Sequence, residues 1–166
     1  MVQQIGVGPS LSVLLFELFV ALDSSSLSRY DRLLLKSMFS LAFYFGLRVG
    51  EITVSPHNIK YSQISFSFGK LLVSFSSYKH SPLHPWPHSI RVSKSTICPV
   101  LALKKYISCR GRRAGVLFLR HDKPVSRSFF SSQLTSLISS VGEDPTGFSS
   151  HSFRIGAATY WAGKQI

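Results

Sequence analysis

The stretch from Asp31 to Leu47, "DRLLLKSMFSLAFYFGL", constrains the fold of this chain more than any other. After its first turn it is apolar on nearly every side of a helix. A helix on the surface of a globular protein keeps one polar face, so this pattern predicts a helix in the middle of a core. The chain has 166 residues, 45% of them hydrophobic, which is enough for one domain around one buried core.

A change of hydrophobic period follows this helix and predicts a small sheet. In "ISFSFGKLLVSF", Ile64, Phe66 and Phe68 alternate with serines, and the alternation resumes from Leu71. Gly69-Lys70 between the two runs suits a type II′ hairpin turn. A third strand is expected near residues 89–92, after the proline-rich segment "HSPLHPWPH".

Helices are expected on both sides of this sheet. A short buried helix is predicted over Leu11–Leu22, and Pro99 suits the first turn of "CPVLALKKYISCR". "GVLFL" is a short extended run, and a further helix begins at Ser126 or Ser128 and reaches about Val141. A last helix is predicted from about His151 to Gly163. The predicted fold class is mixed α+β, mostly α, with a three-stranded antiparallel sheet.

The charge balance favours a polyanionic partner. Nineteen Lys and Arg face seven Asp and Glu, which gives a net charge of +12. Such an excess is typical of nucleic-acid binding and less often of binding to anionic membranes, and the alternative is a solvated basic surface. Polar residues such as Glu17 and Lys36 interrupt the apolar stretches, so no membrane span is expected.

Two arrangements of charged residues are candidates for binding a phosphate. His151 and Arg154 lie three residues apart in the first turn of the last predicted helix, where an anion is favoured. Arg48 and Glu51 lie on a turn that Gly46 and Gly50 bracket. The alternatives are a polar patch on an amphipathic helix for the first and a surface Arg48–Glu51 ion pair for the second.

Other cations are weaker candidates. Lys79 follows the second predicted strand, where its ammonium group could reach a phosphate or simply be solvated. A basic cluster near the end of the "CPVLALKKYISCR" helix could touch a DNA backbone, or it could be a solvated helix end. Its members are Lys104, Lys105, Arg110, Arg112 and Arg113.

No metal site is expected. His84 and His88 have the spacing of two ligands on a helix, but the prolines among them exclude a helix. Cys98 and Cys109 do not form a CxxC pair, so neither a zinc site nor a disulfide framework is indicated.

In this order, "GLRVGEI", a lysine after a hairpin and "HSFRIGAAT" resemble the catalytic domain of tyrosine recombinases, the phage-integrase-like enzymes. The sequence of the motif "SSHSFRIGAAT", with "CPVLAL" and "LF" before it, most resembles that of the DIRS-like and Crypton-like recombinases of eukaryotic mobile elements. The resemblance covers residues 30–166 as a partial catalytic domain and leaves residues 1–29 as an N-terminal helix and connector. It implies the fold of the DNA breaking-rejoining enzymes.

The resemblance also implies a role for each matching residue. Arg48 and Arg154 would grip the non-bridging oxygens of the scissile phosphate, and His151 would hydrogen-bond the same phosphate. Lys79 would protonate the departing 5′ oxygen. Glu51 would orient this site without touching DNA. The implied partner is double-stranded DNA, on which relatives assemble as homo-oligomers, in the nucleus and with no cofactor or metal.

One part of the family pattern is not found. The tyrosine nucleophile of the family lies a few dozen residues beyond HxxR, and this sequence ends at Ile166, so we expect the chain to lack it and to be inactive alone. Tyr160 is interpreted as a packing residue, because on a helix it faces away from Arg154. The alternative function is a degenerate, non-enzymatic DNA-binding remnant of a mobile element. A basic RNA-binding or scaffold domain is more remote.

Overall fold

The computed structural model describes residues 11–74 and 89–147, and the predicted helix at His151–Gly163 lies outside these ranges. Five helices, two small sheets and two short 3₁₀ turns make up the described part. The helices are α1 (Leu11–Asp23), α2 (Arg29–Phe45), α3 (Val49–Ile52), α4 (Pro99–Arg110) and α5 (Arg127–Ser140). The strands are β1 (Ile64–Ser67), β2 (Lys70–Val73), β3 (Ser89–Arg91), β4 (Leu119–Arg120) and β5 (Lys123–Pro124). The 3₁₀ turns are Tyr61–Gln63 and Pro145–Gly147. This confirms the predicted mixed α+β class.

Helix α2 lies at the centre of the core, as its all-round apolar sequence predicts. Its most extensive packing is against α4, and it also packs against α1. Phe39 and Phe45 are fully buried, and the ring of Phe39 meets that of Phe130 on α5 edge to face at 5.5 Å. Edge-to-face pairs add to the stabilisation that area burial alone provides. The helix therefore joins the N-terminal and C-terminal parts of the described chain.

The ends of α2 are fixed by local sequence. The hydroxyl of Ser28 accepts a hydrogen bond from the backbone N–H of Asp31 at 3.1 Å, as an N-cap serine does. Gly46 ends the helix in the left-handed conformation with φ of 63°, and the N–H of Leu47 donates back to the carbonyl of Ala42 at 3.1 Å. This closure turns the chain sharply and leads directly into Arg48.

The two glycines that bracket Arg48 have different roles, which predicts different costs of substitution. Gly46→Ala should lower the free energy of unfolding by about 1 kcal/mol, because alanine resists a positive φ. Gly50 lies inside α3, and an added Cβ would be 3.6 Å from the Ser55 hydroxyl, an ordinary contact. We therefore expect Gly50→Ala to leave stability within about 0.5 kcal/mol or to raise it. Urea unfolding of both variants compares them, and equal losses would contradict this distinction.

The three-stranded sheet has the order β1-β2-β3, and both pairs are antiparallel. The predicted position of its first turn is wrong by one residue. Ser67 pairs with Lys70, so the turn residues are Phe68 and Gly69, with φ of 50° and 74°. Positive φ at both positions makes this a type I′ turn, whose twist matches that of the strands.

The side chains of Ile64, Phe66, Leu71 and Ile90 pack on the core. The outer face of the sheet is polar apart from Leu72, which is 38% exposed. The prediction that Phe68 belongs to the inward-facing set is also wrong, because this side chain is 96% exposed in the turn.

The extended run "GVLFL" is paired at both ends. Val116 forms an isolated bridge with Lys60, and β4 pairs with β5. The guanidinium of Arg120 on β4 binds the Asp31 carboxylate through two contacts, at 3.1 and 3.2 Å, which ties this hairpin to α2. None of the described helices has the length and the hydropathy to cross a membrane.

Candidate functional site

Arg48 lies at the junction between the buried helix α2 and the short helix α3. Leu47 before it is 1% exposed, whereas the Arg48 side chain is exposed to solvent. The closure of α2 at Gly46 therefore brings the chain from the core to the surface within two residues. An arginine in this position has its backbone fixed by the core and its guanidinium available to an anion.

Glu51 holds the backbone of Arg48 in place. Glu51 as a residue is only 7% exposed, and its carboxylate accepts a hydrogen bond from the Arg48 N–H at 2.7 Å. In return, the Glu51 N–H donates to the Arg48 carbonyl at 2.9 Å. Three ion pairs occur among the described residues, and none of them joins Arg48 to Glu51. The surface ion pair that the sequence left open is thus replaced by a contact between carboxylate and backbone.

The segment around α3 is braced by hydrogen bonds to distant parts of the chain. The N–H of Val54 donates to the Val125 carbonyl at 2.8 Å, and that of Ile59 donates to the Glu51 carbonyl at 2.9 Å. Leu117 then donates to the Ile59 carbonyl at 2.9 Å. These bonds fix the backbone of residues 48–59, which we call the platform of Arg48. They therefore restrict the position of the Arg48 Cα and the direction in which its side chain leaves the backbone.

The remaining residues of the predicted phosphate site lie outside the described ranges. They are Lys79, His151 and Arg154, and the same holds for Tyr160. Their convergence on Arg48 stays a prediction.

Part of the predicted basic cluster forms an exposed surface on α4 and the loop after it. Lys104, Lys105 and Arg112 are exposed, and the Lys104 ammonium lies 5.2 Å from the centre of the Phe66 ring. Lys104, Phe66 and Arg112 line an open cleft of about 630 Å³ together with Tyr61 and Ile107. Cations at the rim of an apolar cleft favour an anionic ligand.

Arg110 has a structural role instead. It is 3% exposed, and its guanidinium lies 4.8 Å from the centre of the Tyr61 ring. The guanidinium donates to four backbone carbonyls, at 2.7–2.8 Å, namely those of Gly111, Arg113, Val116 and Leu117. Because these bonds occupy most of its donors, Arg110 is not available for the DNA-backbone contact that the sequence suggested.

Arg113 is exposed but already paired. Its guanidinium donates to the Asp122 carboxylate at 2.9 Å, and both side chains are more than half exposed. A surface pair of this kind contributes little to stability, so an incoming phosphate could replace the carboxylate. Lys104, Lys105 and Arg112 have no ion-pair partner within the described part and are the stronger candidates for a DNA contact.

Two of the described tyrosines are buried and are unsuited to act as a nucleophile. Tyr44 and Tyr106 both lie in the core. The Tyr106 hydroxyl donates to the Leu117 carbonyl at 3.0 Å and accepts from the Leu119 N–H at 2.9 Å. Burial raises the pKa of this hydroxyl well above its usual range. A phenol with a raised pKa and no solvent access is a poor nucleophile.

Metal-ligating residues do not cluster within the described part of the chain, where no group of three His, Cys, Asp or Glu could hold an ion. Cys98 is buried and Cys109 is exposed, and neither forms a disulfide.

Sequence interpretation did not single out one further pair of cations. Lys70 on β2 and Arg91 on β3 are directly opposite each other in the sheet. Their spacing along the chain gives no hint of this, because the pairing depends on the register of two strands. The one sequence signal is that every charged residue between Glu51 and Asp122 is a Lys or Arg.

Comparison with known proteins shows the fold. No family profile matches the sequence, and no curated protein matches it. Among solved structures, the chain is similar to the XerH site-specific recombinase in a pre-cleavage complex with its difH substrate. The two share 15% sequence identity with a TM-score of 0.65, over 90% of this chain and 41% of the recombinase chain. The chain thus spans less than half the length of that protein. Over most of its own length it has the fold of part of a site-specific recombinase.

Proposed function

We propose that this chain is the DNA-binding catalytic core of a tyrosine recombinase, a protein of DNA recombination and integration. The observation that carries the proposal is Arg48, exposed on a platform that buried Glu51 fixes, in a fold shared with a site-specific recombinase. The order of the motifs around Arg48, Lys79 and "HSFRIGAAT" supports the same assignment.

In this proposal four residues act on one DNA phosphodiester, each with its own role. Arg48 and Arg154 bind its non-bridging oxygens and offset the charge that grows in the pentavalent transition state. His151 hydrogen-bonds the same phosphate. When the bond from phosphorus to the 5′ oxygen breaks, Lys79 gives that oxygen its proton. Two guanidiniums supply the positive charge that a metal ion provides in many phosphoryl-transfer enzymes.

The proposal assigns no nucleophile among these 166 residues. In tyrosine recombination the phenolic oxygen attacks phosphorus and keeps the bond energy in a phosphotyrosyl link. Buried Tyr44 and Tyr106 are unsuited to the role, and Tyr160 is assigned to packing.

The proposed origin, location and assembly of the protein depend on the sequence of the HxxR motif. "SSHSFRIGAAT" supports an origin in a DIRS-like or Crypton-like mobile element, with a nuclear site of action and homo-oligomeric assembly on DNA. The net charge of +12 supports duplex DNA as the partner.

A double-mutant cycle on duplex binding tests whether Arg48 and Arg154 grip one phosphate. We expect Arg48→Ala and Arg154→Ala each to weaken binding by about 1–2 kcal/mol, roughly the value of a charge-assisted phosphate contact. The double variant should lose clearly less than the sum, with a coupling energy of about 1 kcal/mol, because residues that share a partner are not additive. Fluorescence anisotropy with a labelled duplex measures all four affinities.

A matched pair controls for the loss of charge. Lys123 is exposed and lies in β5, and it has no assigned role at the site. Arg48→Ala combined with Lys123→Ala should be additive within about 0.5 kcal/mol. If Arg48 and Arg154 are equally additive, they do not share a phosphate and the proposed site is wrong.

A further inference from the structure

The outer face of the three-stranded sheet carries a row of hydrogen-bond donors. In the observed register, Ser67 on β1 is opposite Lys70 on β2, and Lys70 is opposite Arg91 on β3. These three side chains alternate with the core-facing set, so they share the solvent side of the sheet. The next row on this side is Ser65, Leu72 and Ser89, in which the two outer side chains are small.

Two cations directly opposite each other in a sheet repel, which makes the row unusual. Neither Lys70 nor Arg91 has a carboxylate partner in the described part of the chain. The sequence offers none nearby either, because no Asp or Glu occurs between Glu51 and Asp122. A bound anion would remove the repulsion. A backbone phosphate fits, since its oxygens can accept from a hydroxyl, an ammonium and a guanidinium together.

The turn at the end of this row presents an aromatic ring to solvent. Phe68 is 96% exposed and has φ of 50°, a conformation that is strained for a bulky side chain. Asn or Gly is the preferred residue at this position of a type I′ turn. Val92, which is 42% exposed, lies beside Gly69 and extends the apolar tip. Because the Phe68 ring is almost fully exposed, it contributes little to the stability of the fold. We therefore expect it to contact a binding partner.

We propose that this outer face is a second DNA-contacting surface, in addition to the proposed catalytic site, on whose DNA-binding function it rests. Lys70 and Arg91 hold a backbone phosphate, and Phe68 enters the adjacent minor groove, where its ring inserts between two base pairs as an apolar wedge. Phosphates beside base pairs that an apolar wedge can separate distinguish a DNA duplex from other polyanions. The duplex is favoured because a rigid row across three strands suits a backbone of fixed shape.

The charge row is tested with a matched pair of double variants. Lys70→Ala with Arg91→Ala removes the row, and Lys123→Ala with Arg127→Ala removes the same charge from exposed positions elsewhere. We expect the first variant to bind duplex DNA about tenfold more weakly and its logarithmic salt slope to fall by about one. The control should change both quantities much less. Anisotropy titrations between about 50 and 200 mM salt give the slope.

Phe68→Asn separates the ring's role in binding from any role in folding. It creates the preferred Asn-Gly type I′ turn, so thermal unfolding should move to a higher temperature. Duplex binding should nevertheless weaken several-fold, because the apolar wedge is lost. A more stable variant with unchanged affinity would overturn the role of Phe68. A less stable variant would overturn it as well, because the ring would then serve the fold.

The outcomes separate this inference from the proposed function. If the unmodified chain does not bind duplex DNA, both are wrong. If it binds, and the row variant behaves like its control, only the second surface is wrong. Preferential binding of single-stranded RNA, lost in the row variant, would also overturn the inference, because the row would then recognise another nucleic acid.

Discussion

Arg110→Ala is expected to lower the free energy of unfolding by about 4 kcal/mol, near the upper end for a single substitution. The variant leaves four backbone carbonyls without their donor and removes the cation from the face of Tyr61. A cavity at a site that is 3% exposed adds to the loss. Urea unfolding monitored by circular dichroism measures the change.

Two further variants show whether geometry or charge causes this loss. Arg110→Lys keeps the charge, but a single ammonium cannot reach carbonyls spread around a planar fork, so we expect about half of the effect. Arg112→Ala removes an exposed charge two residues away and should change stability by less than about 0.5 kcal/mol. A loss below about 1 kcal/mol for Arg110→Ala would show that water satisfies these carbonyls, and the structural role would be wrong.

This expectation changes how the basic cluster is understood. Arginine clusters in a basic chain suggest DNA contacts, yet Arg110 points into its own loop and shapes the segment that follows α4. The exposed members, Lys104, Lys105 and Arg112, then extend from a loop that Arg110 has made rigid. Weak DNA binding by an Arg110 variant would therefore report a disturbed fold and not a lost phosphate contact.

Much of the fold could be predicted because the local sequence decides it. The all-round apolar pattern placed α2 in the core, Pro99 marked the start of α4, and Ser126 is the N-cap that begins α5. These signals act within a few residues, where capping and steric preferences dominate. The bounds of the four predicted helices that lie in the described ranges accordingly agree with the structure to within about two residues.

The position of the hairpin turn could not be decided in the same way. With a turn at Gly69-Lys70, Phe68 would have faced Leu71, and apolar residues would still have been opposite each other. Alternation has a period of two, so it cannot distinguish two registers that keep the same side chains on the same face. The observed register has Phe66 opposite Leu71 and leaves Phe68 in the turn. The exposed ring and the cation row follow from that choice.

In the candidate site, too, contacts between residues close in sequence could be predicted, and contacts between distant residues could not. Arg48 and Glu51 lie three residues apart, and the sequence indicated that they interact, although an ion pair was the alternative considered. The actual contact runs from carboxylate to backbone, because the closure of α2 at Gly46 leaves the Arg48 N–H without a partner in a helix. Residues distant in sequence, such as Lys70 and Arg91, meet only through tertiary structure and have no local signal.

Glu51 is accordingly a positioning residue, and its removal is the second large effect that we expect. Glu51→Ala should lower the free energy of unfolding by about 2 kcal/mol, because it removes a charge-assisted hydrogen bond from a buried position. Glu51→Gln keeps an oxygen that can accept from the Arg48 N–H, so its loss should be about half as large. Urea unfolding compares the two variants.

DNA binding shows whether Glu51 acts through Arg48. At a temperature where the variants are folded, Glu51→Ala should weaken duplex binding several-fold, because the guanidinium starts from a less fixed backbone. In an Arg48→Ala background, the same substitution should weaken it no further, while the loss of stability remains. If Glu51→Ala weakens binding equally in that background, Glu51 affects affinity independently of Arg48. The proposed role of Glu51 in positioning Arg48 would then be wrong.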